Sequence, residues 1–424
     1  MVGAIALVLL VIVGIAYTFF REESQRLIGM GTIYLQLGEP LSCQNFASLS
    51  LREEPGLGYP GVAGAPRWGF PEEAPTELRV RRSWTTLSEE AKRQFVDGIL
   101  LMKRTKVTSG LPGAERAAYQ SLCPSGQSYE LSLYDYYAEL HTGAFATLGS
   151  VPHHMMPHMG PHFIPWHRYL LLRFERDMQI VLNDPTFALP YWDWDDCQQG
   201  SGDGSNPCPA IFEEDFLGSH GGLEGADEVT GYLVEQGFEV NIWAEGSPTS
   251  FFNTDGILCG SRPFRRSVGT DAGTNFAAPS SADTIQGGFL RPFYDVEPYE
   301  QCVTDDTQSF RMYLEGYRPN DEMPCWFDGR CARHGLGHVY IGGDMVNSAN
   351  PNDPMFFLHH NNVDRIWAMW QDNNRLNPDT SVDYGNPGFP AIWRTSIFNF
   401  PDVQVEELFN FRALGYAYDT SEGE

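Results

Sequence analysis

Residues 158–168, HMGPHFIPWHR, carry three of the chain's eleven histidines beside a tryptophan and two prolines, and RHGLGHVYIGG at 333–343 carries two more. Neither an apolar core nor a solvated loop asks for imidazole at that density, so the fold must gather these rings around something they ligate. On a helix, His334 and His338 lie one turn apart on one face and can share a metal ion. The segment DPMFFLHHNNVDRIWAMWQ at 353–371 follows. In it His359 and His360 open a run where Val363, Ile366, Trp367 and Trp370 repeat at helical spacing, so a third imidazole can reach the same ion from a facing helix. On the N-terminal side His141 sits near the end of the helical pattern YELSLYDYYAELHTGAF. His167 opens another helix, expected to start just after Pro165. His158, nine residues earlier and half a turn out of phase, belongs to the loop leading into it. Two sets of three imidazoles result. With no carboxylate or thiolate among them, they suit copper or zinc, and two adjacent triads leave open positions between the ions for a small bridging molecule.

Helices able to hold such sets need a large core, and 424 residues with 42% apolar and 13% aromatic content supply one. TLSEEAKRQFVDGILLMKRT predicts a core-facing helix with a Ser88 cap and a stripe of Ala91, Phe95, Ile99 and Met102. Residues 198–330, rich in Gly, Pro, Asp and Asn, read as surface loops and short strands around a helical centre. The expectation is one mainly α domain. Lys+Arg 28 against Asp+Glu 55 gives a net charge of −27, which repels phosphate backbones and anionic lipid and argues against nucleic acid as a partner.

Residues 1–20, MVGAIALVLLVIVGIAYTFF, are almost wholly apolar and precede Arg21. They read as a secretory signal cleaved near Ala16 or as an uncleaved membrane anchor. The absence of a basic n-region and the length of the run favour the anchor. Eight cysteines with no C-x-x-C pair fit export to an oxidising compartment. Cys197 with Cys208 and Cys325 with Cys331 bracket short loops suited to local disulfides. The pairing of Cys43, Cys123, Cys259 and Cys302 does not follow from the sequence.

HMGPHFIPWHRYLLLRFE resembles the first copper motif of the tyrosinases, catechol oxidases and hemocyanins, and HGLGHVYIGGDM with NDPMFFLHHNNVDRIWAMWQ resembles their second. RRSWTTLSEE at 81–90, LPYWDWDD at 189–196 and GYAYD at 415–419 match further family motifs. The resemblance divides the chain into a signal or anchor (1–20), an N-terminal extension (21–77), a catalytic domain (78–420) and a short tail (421–424). It implies a four-helix bundle holding two copper ions with O2 bridging them as peroxide. One copper falls to His141, His158 and His167, the other to His334, His338 and His360, since the family uses the later histidine of the pair. His359 and Asp364 would stand behind these ligands, Asp364 one turn beyond His360 and placed to orient it. Phe356 would form part of an aromatic wall. His153, His154 and His220 read as loop histidines, His162 stands where the family has a small residue, and Trp166 and Trp367 read as packing residues.

The activity so implied is oxidation of o-diphenols or o-aminophenols to quinones by O2, with tyrosinase-type hydroxylation of monophenols as the second reading and oxygen carriage, as in hemocyanin, as the third. Three departures from the family pattern bear on the choice. Met156-Pro157 precede His158 where many members have a cysteine that forms a thioether, so no such crosslink forms. Gly335 follows His334 where efficient tyrosinases carry Asn, which with a glutamate polarises a water that deprotonates monophenols. That glutamate corresponds to Glu315, which reads equally as an ordinary helix-surface acid. The chain also ends just after Tyr416 and Tyr418, without the family's shielding or β-domain.

Overall fold

The computed structural model describes residues 69–71, 75–107, 122–123, 131–146, 157–198, 200, 206–221, 227–244, 257–271, 274–275, 277–296, 308–316, 333–373 and 395–421. The expectations for residues 1–20, for Cys43, Cys302 and the Cys325–Cys331 pair, and for His153 and His154 fall outside them. Among the described residues no helix is long and apolar enough to cross a membrane.

Eight helices are described: α1 (Glu89–Arg104), α2 (Leu133–Ala146), α3 (Phe163–Leu182), α4 (Tyr232–Glu235), α5 (Ser281–Gly288), α6 (Phe310–Glu315), α7 (Arg333–Ile341) and α8 (Met355–Asn373). The Ser88 hydroxyl accepts from the Ala91 N–H as expected, and Phe95, Ile99 and Met102 are buried. Helix α3 begins three residues before the expected start. Pro165 lies inside its first turn, where a missing N–H breaks no helical bond. At the other end Asn183, at φ 52°, closes the helix in the left-handed conformation. The loop-rich reading of 198–330 holds for the short strands but omitted α4, α5 and α6, whose few turns are too brief to leave a periodic signal.

Helices α2, α3, α7 and α8 form the four-helix bundle. Below the histidines, Phe174 of α3 stacks on Phe357 of α8 at 3.5 Å between centroids, and Tyr134 and Tyr137 of α2 pack edge-on against both. The entry to α8 is fixed by Asp353, whose carboxylate accepts from the Met355 N–H and from the buried Arg266 at 2.7 Å.

Three distant motifs meet on the outer side of α3 and α8. Strand β1 (Arg79–Arg81) pairs in parallel with a C-terminal strand (Tyr416–Tyr418), Arg81 opposite Tyr418. Arg81, fully buried, donates to Glu175 at 2.9 Å and lies 3.6 Å above the Tyr416 ring. Both tyrosine hydroxyls donate to Asp364 at 2.6 Å, which also accepts from Arg168. From the PYWDW stretch, Tyr191 donates to Asp419 at 2.8 Å and Asp193 pairs with Arg365 at 3.0 Å. The expected Cys197–Cys208 disulfide is present, and a second bond joins Cys123 to Cys259 across 136 residues.

Candidate metal centre

Six histidines come together at the centre of the bundle, each from the element the sequence indicated: His141 from α2, His158 from the loop before α3, His167 from α3, His334 and His338 from α7, and His360 from α8. The Nε2 atom of His141 lies 3.1 Å from that of His158 and 3.4 Å from that of His167. In the other set the three Nε2 atoms of His334, His338 and His360 lie 3.0, 3.2 and 3.3 Å apart. Imidazole nitrogens at about 2.0–2.1 Å from a tetrahedral ion are about 3.3 Å from one another, so each set fits a single metal ion.

For four of the six rings a carbonyl faces the far nitrogen, which favours Nε2 facing inward. A carbonyl can only accept, so a ring nitrogen bonded to one must carry its proton there. His141 Nδ1 donates to the Ser348 carbonyl at 2.8 Å, His167 Nδ1 to Phe163 at 2.7 Å, and His338 Nδ1 to Met345 at 3.0 Å. His334 Nδ1 faces the Glu315 carbonyl at 3.4 Å. Burial pushes all six imidazoles below their ordinary range, His167 to about 3 and His338 to about 4, so they stay neutral and present lone pairs.

The two sets share aromatic neighbours. His167 and His360 stack at 4.2 Å with 10° between planes. Phe356, fully buried, lies 4.2 Å from His360 and 4.9 Å from His141, so it borders both sets. Sequence reasoning missed Phe163, which lies 4.7 Å from His334 and 4.9 Å from His167 and also borders both. Its position four residues before His167, on the same helical face, was the available signal. Trp166, read as a packing residue, also sits 4.9 Å from His167.

Several expected placements change. Asp364 does not orient His360: its oxygens are taken by Arg168, Arg81, Tyr416 and Tyr418, and among the described residues His360 Nδ1 has no hydrogen-bond partner. Its side chain leaves α8 toward the C-terminal strand instead. Glu315 is no surface acid. It is buried, one oxygen accepting from the Met159 N–H and the other from Arg311 at 2.9 Å. Burial pushes its carboxyl up to about 7, against the opposing pull of Arg311. Met159 takes φ 59°, a left-handed conformation uncommon for a residue with a long side chain, and the bond to Glu315 holds it there. Gly335 lies within α7 and has no positive φ. His162 turns away from both sets toward the Thr395 hydroxyl, 3.0 Å from its Nε2, and His220 also lies outside them.

The family model described as the common central domain of tyrosinase matches residues 131–373, more than half of the chain and all six converging histidines. The chain belongs to the tyrosinase family. Among relatives, tyrosinase of Streptomyces glaucescens is 30% identical over 296 residues, covering 69% of this chain and 83% of that protein. Grixazone synthase of Streptomyces griseus is 29% identical over 301 residues, covering 69% and 84%. The 5,6-dihydroxyindole-2-carboxylic acid oxidase of Mus musculus is 30% identical over 374 residues, covering 81% and 63%. Among solved structures, a polyphenol oxidase variant of Thermothelomyces thermophila superposes with a TM-score of 0.51 at 18% identity, covering 80% of this chain and 88% of that one, which supports the fold. This tyrosinase-family chain is a copper polyphenol oxidase, and its histidine sets fit the dicopper centre that the family implies.

Proposed function

We propose that His141, His158 and His167 hold one copper ion, that His334, His338 and His360 hold the other, and that the enzyme oxidises o-diphenols to o-quinones, or o-aminophenols to o-quinone imines, without efficient hydroxylation of monophenols. The observation that carries the metal assignment is the convergence of the Nε2 atoms within each set, with carbonyls holding the far-side protons of His141, His167 and His338. Copper at both sites supplies the redox chemistry: two o-diphenols give up four electrons and four protons to one O2, yielding two quinones and two waters.

The chain's own residues do the rest. Phe356 and Phe163 close the space between the sets with apolar rings, which keeps water away from the reacting atoms. Gly335 offers no side chain beside His334 to hold a water, so a bound monophenol lacks a nearby base, whereas a catechol depends less on that help. Glu315 lies close by, its backbone carbonyl 3.4 Å from His334 Nδ1, and accepts from Met159 and Arg311, but Gly335 supplies no amide to share a water with it. The name of one relative, the 5,6-dihydroxyindole-2-carboxylic acid oxidase, is consistent with o-diphenol oxidation, while the tyrosinases among the relatives bear the name of the second reading. A steady-state assay of the copper-loaded enzyme with a catechol, an o-aminophenol and L-tyrosine tests the reading. Tyrosine hydroxylation as fast as catechol oxidation refutes it in favour of full tyrosinase activity.

The disulfides fit an oxidising compartment, and we propose that residues 1–20 direct the chain there and stay attached as a membrane anchor.

A further inference from the structure

Four imidazoles, not three, gather on the C-terminal side: His334, His338, His359 and His360 offer ring nitrogens within 4.8 Å of one another, all buried. Adjacent histidines with equal chemistry compete for one ion unless something removes one of them. The partners of His359 do so. Its Nδ1 lies 3.0 Å from the indole Nε1 of Trp194, and its Nε2 lies 3.0 Å from the backbone carbonyl of His334. An indole N–H can only donate and a carbonyl can only accept, so Nδ1 must carry the lone pair and Nε2 the proton. Both nitrogens are then spent, and the ring has no lone pair left for a metal.

We infer that Trp194 is a positioning residue for the second metal site: by donating to His359 it holds that ring as a strut against the His334 backbone and leaves His360 as the third ligand. Packing agrees with the hydrogen bonds. The His359 ring stacks on the His334 ring at 5.3 Å and 17°, and it sits so close to α7 that a Cβ on Gly337 would come within 2.2 Å of its Cε1. Trp194 itself is fixed by its own N–H, which donates to the Ser281 hydroxyl at 3.0 Å. This inference rests on the copper assignment above. Without the indole donor, the Nδ1 lone pair of His359 is freed, the ring is held on one side only by the His334 carbonyl, and His359 can turn and compete with His360 for the ion.

The test is Trp194→Phe, which keeps an aromatic ring and removes only the N–H, with His359→Phe and the double variant. Copper bound per chain and the rate of copper loss to a chelator are measured for each, with thermal unfolding of the metal-free forms as the check on folding. Wild type should hold two ions. Trp194→Phe should hold one of them more weakly, by at most the roughly 10- to 100-fold in affinity typical of outer-shell partners, and lose it to the chelator correspondingly faster. The double variant should be no worse than His359→Phe alone, since Trp194 acts through that ring. Wild-type retention in a folded Trp194→Phe protein, or additive losses in the double variant, overturns the inference while leaving the copper assignment intact. A wild type that fails to hold two ions overturns both.

Discussion

His167 and His360 lie face to face, 4.2 Å between ring centroids and 10° between planes, and this contact brings α3 and α8 together between the two histidine sets. One residue belongs to each set, so the sets are joined directly through imidazole rings as well as through the helices that carry them. A change at either position should therefore be felt at both.

Truncating the later member of the histidine pair gives the first prediction. His360→Ala removes one Nε2 from its set and the stacking partner of His167, so bound copper should fall from two ions to one per chain and catechol oxidation should be abolished. Elemental analysis and an oxidase assay check it. Retained turnover with two bound coppers would show that another group serves as ligand.

Substrate range turns on the residue after His334. Gly335→Asn places an amide beside His334, at a helical position with no positive φ. The monophenol rate should rise relative to the diphenol rate, a general base being worth roughly 10² to 10⁴ when fully positioned. The gain should fall short of that range, because Glu315 already serves Met159 and Arg311. An unchanged ratio would remove this explanation and leave the substrate class standing.

Acid should act through Glu175. Despite burial, Arg81 and Arg79 hold its carboxyl below the ordinary value of 4.5. A carboxyl depressed in the folded state contributes stability that is fully present above its unfolded pKa and is lost as pH falls through the folded one. The melting temperature should therefore drop as pH goes below about 4.5. Glu175→Gln should weaken that dependence and destabilise the protein at neutral pH by less than the ~3–5 kcal/mol of a wholly unpaired buried charge, since Arg81 keeps Asp364 at 3.4 Å. Thermal unfolding of both proteins between pH 7 and pH 3 measures this.

The Cys123–Cys259 bond closes 136 residues of chain. Replacing both cysteines by serine should lower stability by about 2–5 kcal/mol. Denaturant unfolding with and without reductant checks it, and the serine variant should no longer respond to reductant through this pair.

If residues 1–20 anchor the chain, the protein should fractionate with membranes, and deleting them should release active enzyme, because every converging histidine lies at or beyond His141. A mature N-terminus at Tyr17 in the medium would instead identify a cleaved signal.

Local patterns carried much of this molecule in plain view. Helical spacing put His334 and His338 on one face, phase alone assigned His158 to a loop, and a serine followed by an apolar stripe set the start of α1. These features depend on the rise and turn of a single helix, which the sequence encodes within a few residues. Other features depend on what meets what across the chain, and no local spacing carries that. Glu315 is placed by Met159 and Arg311, while Asp364 was drawn from His360 toward tyrosines 52 and 54 residues away. Cys123 found Cys259, and Phe163 came to border both sets. The choice between His359 and His360 shows the division most sharply. The residue type is identical, and the family resemblance supplied only which one. On the inference drawn above, the physical reason is tertiary: an indole from the PYWDW stretch and a carbonyl from α7 occupy both nitrogens of His359.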